Sequence, residues 1–181
     1  HSARWDHSVP LDGTKIAVIG TGSTGVQIVS TLATRASELT HFQRSPQWIL
    51  PVEDRPFTEE ERESFRNDPE ALRAKHYDDE IEAGIERFSA AITDPESSAM
   101  QEIDQLVLSN LEESVTDEEL KEKIRPHYRP ACKRLIYSSN FYEAIQRQSV
   151  EAVVEDVTKI EPKGIRTADG ALHEYDVIVL M

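Results

Sequence analysis

Lys15-Ile16-Ala17-Val18-Ile19-Gly20-Thr21-Gly22-Ser23-Thr24-Gly25-Val26-Gln27 begins a stretch, running on to Arg44, whose reading decides the fold of this 181-residue chain. The apolar run Ile16 to Ile19 predicts a strand of a parallel sheet, buried on both faces. Val26, Val29, Leu32 and Ala33 recur at helical spacing, and Leu39-Thr40-His41-Phe42 predicts a second strand. Strand, glycine-rich turn, helix and strand in this order are the context that makes G-x-G-x-x-G a dinucleotide fingerprint. Gly20 permits the tight turn, Gly22 lets the backbone approach a pyrophosphate, and Gly25 lets the helix pack closely on the strand. Thr21, Ser23, Thr24 and Gln27 complete the candidate loop, where free N–H groups and the positive end of the helix dipole meet the phosphates.

The end of the second strand selects the nucleotide. Sites for NAD place an acid there, whereas this chain has Gln43-Arg44-Ser45 and no acid between Thr40 and Val52. A guanidinium can hold a ribose 2′-phosphate through two charge-assisted hydrogen bonds, and a carboxylate would repel it. NADPH is the expected cofactor. The alternative is that Arg44 is a solvated cation at a strand end.

Composition narrows the rest. The length suits one domain carrying an insertion. The only cysteine, Cys132, leaves no internal disulfide or cysteine-based zinc site, expects a buried inert thiol, and fits a reducing, cytoplasmic setting. No apolar run approaches the ~20 residues of a membrane span. The net charge of −14 is concentrated: Glu53 to Lys123 holds 23 acids and 8 bases, while the remainder is near neutral. Nucleic acid is not an expected partner, because a phosphate backbone requires a basic face.

Residues 1–14 read as a linker, 15–52 as the βαβ unit, 53–124 as an acidic helical insertion, and 125–181 as the remainder of the same domain. Pro46 and Pro51 forbid a long helix between them, and Trp48 and Ile49 are expected to pack that loop on the core. Within the insertion, Thr58 precedes three glutamates and suits a helix N-cap. Leu72, Tyr77, Ile81, Ile85 and Phe88 suggest an apolar helix face, and Met100, Ile103, Leu106 and Val107 another, begun at Asp94-Pro95. Thr116 to Glu119 has capping-box spacing for a last short helix. The acids read as solvated helix faces or as a surface for a protein partner.

From Ile124 to Tyr142 no acid occurs, while Arg125, Arg129, Lys133 and Arg134 accumulate. These cations either face an anionic ligand or offset the acidic helices. Phe141 to Arg147 reads as a short helix capped by Ser139 or Asn140. Short strands follow, with a hairpin turn at Asp169-Gly170, and Val177 to Leu180 reads as a central parallel strand. The fold class expected is α/β: a Rossmann-like NADP-binding domain with a parallel sheet, an inserted helical subdomain and a small β-meander.

These motifs, in this order, resemble the Baeyer–Villiger monooxygenases, flavoproteins that use FAD and NADPH. His1-Ser2-Ala3-Arg4-Trp5-Asp6 resembles the latter half of that family's F-x-G-x-x-x-H-x-x-x-W-[P/D] fingerprint. Gly20 to Gly25 with Val26-Gln27 is similar to its NADP-binding glycine loop, and Gln43-Arg44-Ser45-Pro46 to its 2′-phosphate turn. Cys132-Lys133-Arg134 is similar to its Lys-Arg pair, which implies that Lys133 meets NADP while Arg134 faces the flavin and is catalytic. The resemblance implies oxygenation of a small-molecule ketone by O2 to an ester or lactone, with FAD bound by a further domain of the same polypeptide lying outside this sequence. It also implies that the fragment alone is inactive. Two other readings stay open: a related flavin monooxygenase acting on N or S, or a flavin–disulfide reductase, which a single cysteine disfavours; and a non-enzymatic NADP-binding or interaction domain.

Overall fold

Ile16, Ala17 and Val18 expose no surface on either side, as a strand inside a parallel sheet requires. The computed structural model describes residues 1–74, 77 and 81–181. In it this strand, β1 (Lys15–Ile19), lies between β2 (Glu38–Phe42) and the last strand, β9 (Val177–Leu180), and β5 (Val150–Val153) flanks β2. All three pairings are parallel, in the order β5-β2-β1-β9. Helix α1 (Ser23–Leu32) carries the chain from β1 to β2 and buries Gly25, Val26, Val29 and Leu32, the expected face.

The two sheet faces are covered differently, because successive side chains alternate. Ile16, Val18 and Leu39 join the large core beneath α1, α5 (Ser98–Ser114) and α7 (Phe141–Ile145). Ala17, Phe42 and Val153 face Ile165 of a small antiparallel sheet, β6 (Val157–Glu161), β7 (Gly164–Thr167) and β8 (Leu172–Glu174). Phe42 meets His173 and Tyr175 edge-on at 5.6 and 6.0 Å. The β7–β8 turn has Gly170 at φ 87°, which the Asp-Gly pair foretells.

Between residues 53 and 124 the described residues are largely helical. In α2 (Glu59–Asn67), Thr58 and Glu61 form a reciprocal capping box. Next come α3 (Pro69–Arg73), α4 (Ala83–Thr93), α5, and α6 (Glu118–Lys123). Helix α5 anchors this layer with Met100, Ile103, Val107 and Leu111, each nearly solvent-free and contributing about 1.5–3 kcal/mol by burial. The C-terminal part of α5 is tied to the core by Asn110, which donates to Ile49 O at 2.9 Å. Trp48 and Ile49 are buried as expected, and Ile49–Leu50 forms β3, a parallel pair with β4 (Ile136–Tyr137) that short apolar dipeptides do not announce.

Several expectations are corrected. Leu72, Tyr77, Ile81 and Ile85 are exposed, so only Phe88 of that face packs on the core; the helix expected across 75–76 and 78–80 lies outside the described residues. Leu106 is exposed, since the buried stripe of α5 runs through residue 107, and its N-cap is Ser97, beyond a turn at Asp94-Pro95. Asp117, not Thr116, caps α6, because its carboxylate accepts from both Glu119 N and Leu120 N. Ser138 accepts from the N–H of Phe141, whereas Asn140, the N-cap of α7, makes no side-chain cap. Strand β9 is half-buried at the sheet's edge, not central, and Cys132 is exposed. Among the described residues no helix is long and apolar enough to cross a membrane.

Candidate functional site

With β2 and β5 on one side of β1 and β9 on the other, the strand order reverses direction at β1, and open α/β sheets bind ligands beyond the strand ends at such a point. The glycine loop leaves β1 there. Gly20 sits at φ 125°, a conformation side chains rarely adopt. A Cβ on Gly25 would stand 2.4 Å from Gly20 O, so only glycine lets α1 approach the turn this closely. Gly22 is the N-cap of α1 and has open space where a Cβ would project, so nothing from that residue blocks a ligand. It supplies no side-chain cap, and the first-turn N–H groups of Ser23, Thr24 and Gly25 are left to a ligand.

A cleft of about 670 Å³ opens over this loop, bounded by Gly20, Thr21, Arg44, Ser45, Gln47 and Lys133. One hydrogen-bonded chain joins its walls. Lys133 Nζ donates to Ser45 Oγ at 2.8 Å and lies 4.2 Å from the centre of the Tyr128 ring. Tyr128 O–H donates to Gln47 Oε1 at 2.7 Å, and Gln47 Nε2 donates to Thr21 Oγ1 at 3.3 Å. Trp48 Nε1 fixes the same tyrosine from below through its carbonyl, at 2.7 Å. Burial pushes the Tyr128 phenol above its ordinary range, which keeps its proton available for Gln47. Segments 88 residues apart, at Ser45 and Lys133, thus form one wall.

The four cations of the acid-free loop divide. Arg125 pairs with Glu112 at 2.5 Å and with Glu122 at 3.3 Å, and Arg129 donates to Pro95 O, so these two secure the helical insertion. Lys133 enters the cleft. Arg134 opens instead into a second hollow of about 440 Å³, lined by Ile81, Ile85, Phe88, Leu135 and Tyr137. Arg44 is exposed on the first cleft's rim. Of the other expected residues, Ser23 and Thr24 begin α1 at the loop, while Gln27 faces a separate polar hollow with Glu53 and Asn140 and is not brought to the cleft.

Two participants were not foreseen. Gln47 carries no pattern beyond following Ser45-Pro46. His41 is fully buried on β2, with Nε2 2.7 Å from Gly20 O and its ring edge-on to Phe141 at 5.8 Å. Burial lowers its pKa to about 4, outweighing the raising effect of the Gly20 carbonyl. Among the described residues no cluster of His, Cys, Asp or Glu could hold a metal ion. The arrangement can therefore hold a phosphorylated ligand through backbone N–H groups and two cations.

Comparison with known proteins gives a consistent picture. No protein-family model matches the chain. An uncharacterized monooxygenase of Mycobacterium tuberculosis is 44% identical over 182 residues, covering 99% of this chain and 36% of the relative. A Baeyer–Villiger monooxygenase of Streptomyces coelicolor is 32% identical over 179 residues, covering 99% of this chain and 34% of the relative. The chain thus spans about a third of the length of the curated relatives it matches. Among solved structures, cyclohexanone monooxygenase from Rhodococcus sp. Phi1 bound to NADP+ superposes with a TM-score of 0.80 at 28% identity, covering 99% of this chain and 40% of that one. Along nearly its whole length, the chain is related in sequence and in fold to one segment of the Baeyer–Villiger monooxygenases.

Proposed function

We propose that the chain forms the NADPH-binding domain, with residues 53–124 as its helical insertion, of an FAD-dependent monooxygenase that converts ketones to esters or lactones with O2. The observation that carries this reading is the convergence of Arg44, Ser45 and Lys133 on a glycine loop at the strand-order reversal. The relatives' names and the NADP+ bound by the Rhodococcus enzyme support it. The residues fit the nucleotide: Gly25 leaves room for the tight turn, Gly22 leaves the approach open, and the Arg44 turn carries no acid, the cleft's Glu155 and Asp156 coming from the β5–β6 connection. The first-turn N–H groups of α1 would hold the diphosphate, and Arg44, with Ser45 and Lys133, the 2′-phosphate.

When bound, NADPH supplies a hydride and FAD activates oxygen. Arg134 is set to a different task. It lines an open, largely apolar hollow, where its charge can stabilise negative charge that develops on a carbonyl oxygen.

Titration calorimetry tests the nucleotide assignment. The chain should bind NADP+ more tightly than NAD+, and Arg44→Ala should remove the preference, a loss of about 1.5–3 kcal/mol or roughly 10- to 150-fold. Equal losses for both nucleotides would place Arg44 away from the 2′-phosphate.

A further inference from the structure

The first carbonyl of the glycine loop is held from inside the sheet. Gly20 O has no proton to give, so the 2.7 Å contact requires that His41 Nε2 carry the hydrogen and donate it. That leaves His41 Nδ1 as a bare acceptor, and it is buried without any partner among the described residues. A second proton on that nitrogen would create an unpaired cation in an apolar layer beside Phe141, which is why the ring is held neutral. The tautomer is therefore fixed by the surroundings.

The consequence lies on the other side of the same peptide. A trans peptide is planar, and its C=O and N–H point in opposite directions. Drawing Gly20 O inward against β2 turns the N–H of Thr21 outward, and Thr21 lines the cleft. Gly25 makes room for the same oxygen, since any side chain there would collide with it. One carbonyl is thus set by a donor from His41 and by the missing Cβ of Gly25.

We propose that His41, as a neutral imidazole protonated on Nε2, is a positioning residue that aims the Thr21 N–H at the diphosphate of the bound dinucleotide. The inference rests on the dinucleotide reading above. It concerns a side chain that never touches the ligand and that the glycine pattern does not include.

The test compares two ligands on the full chain. NADP+ engages both the glycine loop and the Arg44 turn, whereas 2′-AMP has no diphosphate and engages only the turn. His41→Leu, close in volume but without a donor, should weaken NADP+ about tenfold and leave 2′-AMP unchanged. His41→Gln, whose amide nitrogen can reach where Nε2 stood, should restore NADP+ binding to within about threefold of the wild type. Normal NADP+ binding by His41→Leu, an equal loss on 2′-AMP, or no rescue by His41→Gln would each overturn the proposal. Should His41→Leu not fold, long-range 1H–15N spectra of the wild type decide: a neutral ring protonated on Nε2 at pH 7 supports the proposal, and any other state overturns it. Failure of the wild type to bind NADP+ at all would defeat the dinucleotide reading itself, a result distinct from every variant outcome.

Discussion

Burial of His41 should make the fold's stability depend on pH between about 6.5 and 4. The imidazole has an ordinary pKa near 6.5 in the unfolded chain and one of about 4 in the folded chain. Between these values the unfolded state binds a proton that the folded state refuses, so stability falls as pH drops from about 6.5 toward 4 and levels off below. The full shift corresponds to about 3 kcal/mol, and the part lost between pH 7 and pH 5 is about 2 kcal/mol. Urea unfolding of the wild type and of His41→Gln at both pH values isolates it, because the carboxylates that titrate in the same interval are common to both proteins. The wild type should lose about 2 kcal/mol more than the variant. Identical losses would show that His41 is protonated in the fold, and the argument for a fixed neutral tautomer would fail.

Gly25→Ala should lower thermal stability by about 1–3 kcal/mol, since the new methyl can be accommodated only by moving α1 off Gly20 O, and scanning calorimetry would measure it. Lys133→Ala should weaken NADP+ binding while Arg134→Ala leaves it within about threefold by calorimetry, because the two side chains open into different hollows.

The fold is most legible in the sequence where local chemistry decides structure. The spacing of Gly20, Gly22 and Gly25 encodes a backbone conformation and a helix–strand distance, and both are met at those residues. Thr58 and Glu61 form their cap for the same reason: the partners lie within one turn. The fold is least legible where a distant partner decides. The apolar spacing of Tyr77, Ile81 and Ile85 describes a face, but spacing cannot say whether another element covers it, and here none does among the described residues. Thr116 has a capping-box pattern, yet Asp117 beside it carries a full charge for the helix dipole and takes the position. In the sequence His41 is simply a member of the strand Leu39 to Phe42. Its role exists only because β1 ends beside it, in register with Val18 and one residue short of the turn.

The separation of Lys133 from Arg134 shows how adjacent residues of like charge come to do different work. Neither side chain dictates its own direction. Upstream, Arg129 to Cys132 closes a turn, with Cys132 N–H donating to Arg129 O at 3.2 Å and Ala131 at φ 64°, a left-handed conformation that costs a non-glycine residue about 1 kcal/mol. Downstream, Leu135 and Ile136 are buried, and Ile136 is paired with Ile49 in β3. Between these anchors Lys133 lies in a bend and Arg134 in the irregular stretch that leads into β4, and the two side chains diverge there. Lys133 therefore falls toward Ser45 and Tyr128, and Arg134 toward Phe88. The left-handed alanine and the two-residue strand β4 bracket the two residues, of which one gives its cation to the glycine-loop cleft and the other to the apolar hollow.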